Sequence, residues 1–172
     1  QPFYIMERLS GVILRAGNAP KLGITFQEMQ GLSTALINNL VALHALDITT
    51  TGLNQLGKPE GYVDRQVAGW TKRYQAAQTD QIESIDQVAK WIAANHPRAQ
   101  APTLLHNDYK YDNLILDPNN LSNIIGVLDW EMATVGDPLM DLGATLAYWF
   151  EADENVVFRN YNLSWLPGNL SR

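Results

Sequence analysis

Apolar side chains recur at a helical spacing in three stretches of the first half of the chain. The first stripe runs from Phe26 to Leu43, the second from Val63 to Tyr74 and the third from Ile82 to Ile92. A repeat of about 3.6 residues places such side chains on one face of a helix. We therefore predict three amphipathic helices, which makes this part of the chain mainly α-helical.

Local signals set the ends of these helices. Thr25 and Glu28 have the spacing of a capping box, which satisfies amide groups that have no partner at a helix N-terminus. Asp80, with Glu83 three residues on, predicts the start of the third helix in the same way. His96 is predicted to end that helix, because the proline after it disfavours helical geometry in its predecessor.

The pattern changes in the second half, where short apolar runs alternate with polar loops. Three of these runs predict strands of a small sheet, at 103–105, 114–116 and 124–128. A last helix begins after Asp137, which is its predicted N-cap, with Pro138 in the first turn. The aromatic and β-branched run Phe3–Met6 predicts a further strand. The expected fold class is therefore α+β, mainly α-helical, with a small β-hairpin.

Composition and charge exclude several kinds of protein. Hydrophobic residues make up 46% of the 172 residues, so the chain has enough apolar surface to fold. Twelve lysines and arginines against 18 acidic residues give a net charge of −6, which argues against a nucleic-acid or membrane partner. No apolar stretch approaches the ~18 residues that span a bilayer, and Gln1–Phe3 lack the features of a signal peptide. We therefore expect a cytoplasmic protein.

Histidine and cysteine contribute little candidate chemistry. The absence of cysteine excludes a thiolate nucleophile, a disulfide framework and a cysteine-rich zinc site. His44 lies beside the first apolar stripe and is predicted to be a packing residue with no chemical role. His106 is predicted to be structural and to hold its loop by side-chain hydrogen bonds.

Acidic and amide side chains concentrate in the loops of the predicted sheet. Asp108 and Asn113 lie between the first two short strands, and Asp129 follows the third. The turn at 117–120 predicts that the second and third strands pair antiparallel, and the midpoint of that hairpin places Asn113 opposite Asp129. Asp108 lies in the loop just before Asn113. The three side chains are therefore predicted to converge at the open end of the hairpin.

Such a cluster of carboxylates requires a cation. Like charges a few ångströms apart repel unless one is protonated or a hard ion is bound, and oxygen-only ligands favour Mg²⁺. Phosphoryl transfer uses these parts, since a metal neutralises charge and a carboxylate orients the acceptor hydroxyl. Asp108 is then the predicted catalytic base, with Asn113 and Asp129 as predicted Mg²⁺ ligands. Lys110 is predicted to place its ammonium near the transferring phosphoryl group.

These motifs resemble those of the aminoglycoside phosphotransferase and choline kinase family, which has a protein-kinase-like fold. His106-Asn107-Asp108 with Asn113 corresponds to the family's His-Gly-Asp and the Asn that follows it. Asp129-Trp130-Glu131 corresponds to the metal-binding motif. Gly136-Asp137-Pro138-Leu139 and Asp141-Leu142 complete a pattern found in these enzymes. The nearest resemblance is to the kinase-like module of some acyl-CoA dehydrogenases.

The resemblance implies a division of the chain and further residue roles. Residues 1–10 would be the remnant of a hinge strand from an N-terminal lobe, and residues 11–172 a helical catalytic C-terminal lobe that is truncated at its C-terminus. Three backbone positions of the hinge would meet the adenine ring of ATP: Glu7, Arg8 and Leu9. Asp141 is predicted to accept hydrogen bonds from catalytic-loop amides rather than to bind metal. Glu131 is either close to the metal or simply solvated, and both readings stay open.

The residues fit three functional classes. The first is an ATP- and Mg²⁺-dependent phosphotransferase, whose partners are a nucleotide and a small molecule with a hydroxyl group. The second is a noncatalytic pseudokinase or scaffold module, which the presence of Asp108, Asn113 and Asp129 disfavours. The third is a metal-dependent hydrolase using His106, which would normally need more histidine ligands nearby. Because no glycine-rich loop is found, the 172 residues alone are expected to catalyse little.

Overall fold

The computed structural model describes residue 3 and residues 5–172, and this part of the chain forms four α-helices, four short strands and several 3₁₀ turns. The helices are α1 (Phe26–His44), α2 (Tyr62–Ala77), α3 (Glu83–Asn95) and α4 (Pro138–Ala147). The strands are β1 (Thr103–Leu105), β2 (Leu114–Asp117), β3 (Asn120–Val127) and β4 (Thr134–Gly136). The predicted α+β, mainly helical class is confirmed.

The predicted capping box is present at the start of α1. The Thr25 hydroxyl accepts from the Glu28 amide at 3.3 Å, and the Glu28 carboxylate accepts from the Thr25 amide at 2.8 Å. These two bonds satisfy donors that helix geometry leaves without a partner. The middle of the predicted apolar stripe of α1 is buried and packs toward β3 and β1, whereas Phe26 at its start is exposed. The buried members are Met29, Leu32, Leu36 and Leu40.

The predicted cap of α3 is wrong, whereas its predicted end is confirmed. α3 starts at Glu83, and no side chain caps it. Asp80 lies outside the first turn, and its carboxylate accepts from the Thr79 hydroxyl at 3.0 Å. At the other end the His96 amide donates to Ile92 at 3.0 Å, and the backbone of His96 leaves the helical region. Ile82 occupies the N-cap position, so Asp80 lies two residues too early to cap the helix and bonds locally to Thr79.

The strands form two antiparallel pairs in the described part of the chain. β1 pairs with β4, with Thr103 opposite Gly136 and Leu105 opposite Thr134. β2 pairs with β3 as the sequence predicts. The sequence analysis missed β4, because three residues are too short to show an alternating pattern. β1 and β4 are antiparallel, so the loop that follows β1 begins beside the turn before β4, and Asp137, which follows β4, lies beside the start of β1.

The predicted register of the β2–β3 hairpin is wrong by one residue. Leu114 lies opposite Val127, and the Leu128 amide donates to the Asn113 carbonyl at 2.8 Å. Asn113 is therefore paired with Leu128, and Asp129 is the next residue along. The midpoint argument assumes a symmetrical hairpin, but β3 holds extra residues at irregularities opposite Ile115–Asp117.

The strand predicted for Phe3–Met6 is absent from the residues that the structure describes. Phe3, Ile5 and Met6 are not in a strand, and Tyr4 lies outside the described residues, as do Gln1 and Pro2 of the predicted hinge. The first strand-like pairing is at Val12, whose amide and carbonyl each bond to Leu116 at 2.8 Å. A β-propensity run becomes a strand only when a neighbouring strand satisfies its backbone groups.

The core lies between α1, the β2–β3 hairpin and the segment after α4. Its largest members are Leu14, Met29, Leu36, Tyr109, Tyr111, Leu116, Trp149 and Leu163. Two of them, Tyr109 and Tyr111, belong to the loop between β1 and β2, so this loop is anchored to the core by two buried side chains. Across residues 3 and 5–172, we find no helix with both the length and the apolar character needed to cross a bilayer.

Candidate active site

The loop at 106–113 is organised around the buried carboxylate of Asp141. Asp141 Oδ2 accepts from the His106 amide at 2.9 Å, and Oδ1 accepts from the Asn107 amide at 2.7 Å. Asn107 has a φ of 64°, a left-handed conformation that asparagine adopts more readily than most residues. The contacts of Asp141 have the geometry predicted for an acceptor of catalytic-loop amides. They fix the backbone of the two residues that precede Asp108.

His44 has a role that the sequence analysis did not predict. Its Nε2 lies 3.0 Å from Asp141 Oδ2, and its side chain is only 16% exposed. The prediction that His44 only packs is therefore wrong. Ninety-seven positions separate the two residues, so no local pattern in the sequence could have indicated the contact.

Asp141 carries its charge in this buried setting. Burial alone would raise the pKa of its carboxyl group, but the hydrogen bonds from His44 and from the amides of His106 and Asn107 outweigh burial and lower the pKa below its ordinary value. The carboxylate is thus a fixed acceptor with at least three donors around it. Such a group stabilises one loop conformation, since every donor would lose a charged partner if the loop moved.

His106 connects the loop at 106–113 with the end of β3. Its Nε2 donates to the Leu128 carbonyl at 2.8 Å, while its Nδ1 accepts from the Asp108 amide at 3.2 Å. These two contacts require a neutral ring with its hydrogen on Nε2. The ring is 1% exposed, and the Trp130 ring packs against it at a centroid distance of 4.8 Å. His106 therefore positions the backbone on both sides of the site.

Asp108 and Asn113 are brought together as the sequence predicts, and Lys110 joins them through an ion pair with Asp108. Lys110 Nζ donates to Asp108 Oδ1 and Oδ2, at 2.8 Å each. Asn113 Nδ2 donates to the Asp108 carbonyl at 2.8 Å and to its Oδ2 at 3.1 Å. The carboxylate of Asp108 is therefore oriented by two neighbours, and it stays 21% exposed. The carboxylate of Asp108 thus has a fixed orientation and remains accessible to solvent.

Asp129 lies at the open end of the β2–β3 hairpin, one residue beyond the pair formed by Asn113 and Leu128. It has a φ of 66° and is exposed to solvent. Its turn is held by His106, which bonds to the Leu128 carbonyl, and by Trp130 Nε1, which donates to Val127 at 2.9 Å. Asp129 is therefore next in the chain to Leu128, the residue that pairs with Asn113, and is not itself opposite Asn113 as predicted.

Of the remaining predicted site residues, one caps a helix and the others are exposed. Asp137 is the N-cap of α4, as predicted, since its Oδ1 accepts from the Leu139 amide at 2.9 Å. Its other oxygen accepts from the Gln100 amide at 2.8 Å. Glu131 is exposed in the turn after Asp129. Glu7 and Arg8 are exposed, and within the described residues no hydrogen bond or ion pair links them to the loop at 106–113.

The oxygen atoms of Asn113 and Asp129 are suited to a hard divalent cation. The Asn113 amide nitrogen donates to Asp108, and the side-chain oxygen Oδ1 has no hydrogen-bond partner among the described residues. Mg²⁺ commonly takes one or two protein oxygens and completes its shell with phosphates and water. Across the part of the chain that the structure describes, no group of three or more His, Cys, Asp or Glu residues is placed to hold a metal ion. Asn113 and Asp129 are thus two oxygen-bearing side chains near the open end of the hairpin.

A cavity of about 450 Å³ adjoins the catalytic loop at Asn107. The Asn107 side chain forms part of its wall, where it accepts from the Tyr62 hydroxyl at 3.3 Å and donates to the Met132 carbonyl at 2.9 Å. Trp70 and Arg73 of α2 line the outer part, and the guanidinium lies 4.7 Å from the centroid of the Trp70 ring. The cavity offers room for a small molecule, and Asn107 in its wall is the residue that precedes Asp108 in the chain.

Comparison with known proteins identifies relatives of this chain and of its fold. A model of the phosphotransferase enzyme family matches residues 1–171. Acyl-CoA dehydrogenase family member 10 of Mus musculus is 35% identical over 168 residues, which are 96% of this chain and 15% of that protein. Acyl-CoA dehydrogenase family member 11 of Rattus norvegicus is 38% identical over 149 residues, 86% of this chain and 19% of that protein. This chain therefore spans less than a quarter of these relatives.

Among solved structures, a protein of Ralstonia eutropha assigned to the aminoglycoside phosphotransferases superposes with a TM-score of 0.78. It is 29% identical, and the match covers 92% of this chain and 50% of that one. The predicted family, the predicted relation to acyl-CoA dehydrogenases and the protein-kinase-like fold are thereby confirmed. With the family match extending over residues 1–171, the chain belongs to the phosphotransferase enzyme family.

Proposed function

We propose that this chain carries the catalytic centre of a phosphotransferase that moves the γ-phosphoryl group of ATP to a hydroxyl group of a small molecule, with Mg²⁺ as cofactor. The observation that carries the proposal is the arrangement of Asp108, which two neighbours orient while its carboxylate stays accessible. A carboxylate in this state can accept the proton of an acceptor hydroxyl.

Each side chain of the cluster has a separate task in this proposal. Asp108 accepts the hydroxyl proton at a carboxylate oxygen as the acceptor oxygen attacks the phosphoryl group. Lys110 places a positive charge beside that carboxylate, where negative charge develops on the phosphoryl oxygens. Asn113 and Asp129 would hold Mg²⁺, which when bound neutralises charge on the phosphates. The cavity beside Asn107 would receive the acceptor.

Rigidity of the loop supports the same function. Asp141 fixes the amides of His106 and Asn107, and His106 fixes the amide of Asp108. Phosphoryl transfer depends mainly on positioning and on electrostatic stabilisation, so a preorganised loop lowers the barrier. Buried side chains hold this loop from two helices, because the Tyr109 hydroxyl donates to the Leu36 carbonyl of α1 and the Tyr109 carbonyl accepts from Thr145 of α4.

The proposal extends to residues that lie away from the loop. Residues 1–10 would form the hinge that precedes the lobe at 11–172, and the backbone from Glu7 to Leu9 would contact the adenine ring. Leu9 is placed close to the hairpin, since a Cβ at Gly126 would be 2.7 Å from its Cδ1. This contact supports a position of the hinge segment beside β3.

Ligand-dependent stabilisation of the full-length gene product tests the function. Thermal unfolding is recorded with Mg²⁺ and ATP together, with either alone and with Zn²⁺ alone, and ADP release is then measured on a panel of hydroxylated small molecules. We expect a rise in unfolding temperature with Mg²⁺ and ATP together, and ADP release that depends on an acceptor. Nucleotide binding without transfer would indicate a pseudokinase, and a response to zinc only would indicate a hydrolase. Either result overturns the proposal.

A further inference from the structure

The ring of Tyr148 lies against the ammonium group of Lys110. The ring centroid is 4.6 Å from Lys110 Nζ, within the range in which an aromatic face attracts a cation. The same ammonium donates to both oxygens of Asp108 at 2.8 Å. One cation is therefore located between a carboxylate and an aromatic face.

Neighbouring residues on both sides fix the position of Tyr148. Its amide donates to the Thr145 carbonyl at 3.1 Å, at the C-terminal end of α4. The Thr145 hydroxyl donates to the Tyr109 carbonyl at 2.9 Å, which ties this end of α4 to the residue before Lys110. Trp149 is buried, and its indole N–H donates to a backbone carbonyl at 2.8 Å. The backbone of Tyr148 therefore has a fixed place relative to the loop at 106–113.

An aromatic face attracts an ammonium group without accepting its strong hydrogen bonds. A carboxylate at this position would compete with Asp108 and with phosphate for the N–H donors of Lys110. An aliphatic side chain would leave the ammonium attracted only to the neighbouring carboxylates, chiefly Asp108 and more weakly Asp112. With the ring present, Nζ can keep its position while its donors turn toward a phosphoryl oxygen. This restraint is useful because a lysine side chain has four rotatable bonds and loses entropy when it is held.

We infer that Tyr148 is a positioning residue that acts through Lys110 and holds its ammonium between Asp108 and the phosphoryl group that is transferred. The inference rests on the proposed function. It assigns a role to a side chain outside the catalytic loop and outside the sequence motifs, at the end of the helix that also supplies Asp141 and Thr145.

Three substitutions in the full-length gene product test the inference. Tyr148→Phe keeps the aromatic face, whereas Tyr148→Leu removes it. Tyr148→Met provides a second non-aromatic side chain if the leucine variant fails to fold. We expect kcat to fall by about twofold to thirtyfold in the non-aromatic variants, the range that corresponds to a cation–π contact, with KM for ATP little changed. Tyr148→Phe should retain the wild-type kcat.

A double-mutant cycle with Lys110→Met separates positioning from a structural effect. If Tyr148 acts through Lys110, Tyr148→Leu costs nothing further once the ammonium is gone. An equal loss of kcat in the wild-type and Lys110→Met backgrounds would show a structural role and overturn the inference. A loss of kcat in Tyr148→Phe as large as that in Tyr148→Leu would also overturn it.

Failure of this inference can be distinguished from failure of the proposed function. A wild-type protein that binds Mg²⁺ and ATP but transfers no phosphoryl group to any acceptor overturns the proposed function, and the inference with it. An active wild type with an unchanged Tyr148→Leu variant overturns the inference alone. The NMR resonances of the Lys110 side chain give a readout without activity. Their ring-current shift should persist in Tyr148→Phe and disappear in Tyr148→Leu, and an unchanged spectrum in the leucine variant would contradict the contact.

Discussion

The ammonium group of Lys110 lies 2.8 Å from each carboxylate oxygen of Asp108, so the two residues form a forked ion pair. The side chains are 20% and 21% exposed, which leaves the pair only partly screened by water. Burial alone would lower the pKa of Lys110, but hydrogen bonds to Asp108 and the charge of that residue outweigh burial and raise the pKa. Lys110 is therefore a permanent cation beside the proposed base.

Replacing Lys110 by methionine should slow phosphoryl transfer more than it weakens nucleotide binding. The substitution removes the charge and keeps the length of the side chain, so we expect kcat to fall by about 10²- to 10³-fold. KM for ATP should change much less, because the ammonium stabilises charge that develops during transfer. Steady-state kinetics of the full-length gene product measure both constants. Lys21→Met, at an exposed lysine, is the matched control and should have little effect. A rise in KM at unchanged kcat would contradict the assigned role.

Two histidine–aspartate pairs of equal length should contribute very differently to stability. His44 lies 3.0 Å from the buried Asp141, and His96 lies 3.0 Å from Asp64, which is 71% exposed. We expect His44→Ala to lower the free energy of unfolding by about 1 to 3 kcal/mol, because a buried charged acceptor loses a donor. His96→Ala should cost about 0.2 to 1 kcal/mol or less, as is usual for exposed pairs.

Chemical denaturation of both histidine variants measures this difference. A loss of kcat should accompany the loss of stability only in His44→Ala, since Asp141 also holds the amides of His106 and Asn107. Equal destabilisation by the two substitutions would show that the His44 contact does not anchor the loop.

The contribution of Asp141 to stability should disappear in acid. The pKa of its carboxyl group is lowered from the ordinary value of 3.8, so the folded state binds a proton less readily than the unfolded state does. The stabilisation is therefore fully present above the unfolded pKa and is lost as the pH falls through the lower, folded pKa. We expect the difference in unfolding temperature between the wild type and Asp141→Asn to be constant near neutral pH and to shrink below about pH 4.

A pH series of thermal unfolding curves checks this prediction. Asp153→Asn is the control, because that carboxylate is exposed, and its curves should follow the wild type throughout. A difference for Asp141→Asn that grows as the pH falls would contradict the direction of the pKa shift.

Features that depend on neighbouring residues were predictable from the sequence. The capping box joins Thr25 to Glu28, and the Asp137 cap joins a carboxylate to an amide two residues on, so both partners of each bond lie within one turn. The grouping of Asp108, Lys110 and Asn113 is predictable for the same reason, because six positions hold all three.

Features that depend on tertiary packing were not predictable. The contact of His44 with Asp141 joins two helices that are distant in sequence, and helical periodicity cannot show which residue of one helix meets which residue of another. The register at Asn113 depends on irregularities within β3, which the turn residues do not encode. The run from Phe3 to Met6 has the composition of a strand, but strand formation also needs a partner.

The central claim is that Asp108 acts in transfer whereas Asp129 acts in binding Mg²⁺ and the nucleotide, and one comparison tests it most directly. Binding of Mg²⁺ with a nonhydrolysable ATP analogue is measured by calorimetry on the full-length gene product for wild type, Asp108→Ala and Asp129→Ala, alongside the rate of ADP release with an acceptor. The account predicts that Asp108→Ala abolishes transfer while nucleotide affinity stays near the wild-type value, and that Asp129→Ala weakens nucleotide affinity itself. Equal effects of the two substitutions on affinity and on rate would contradict it.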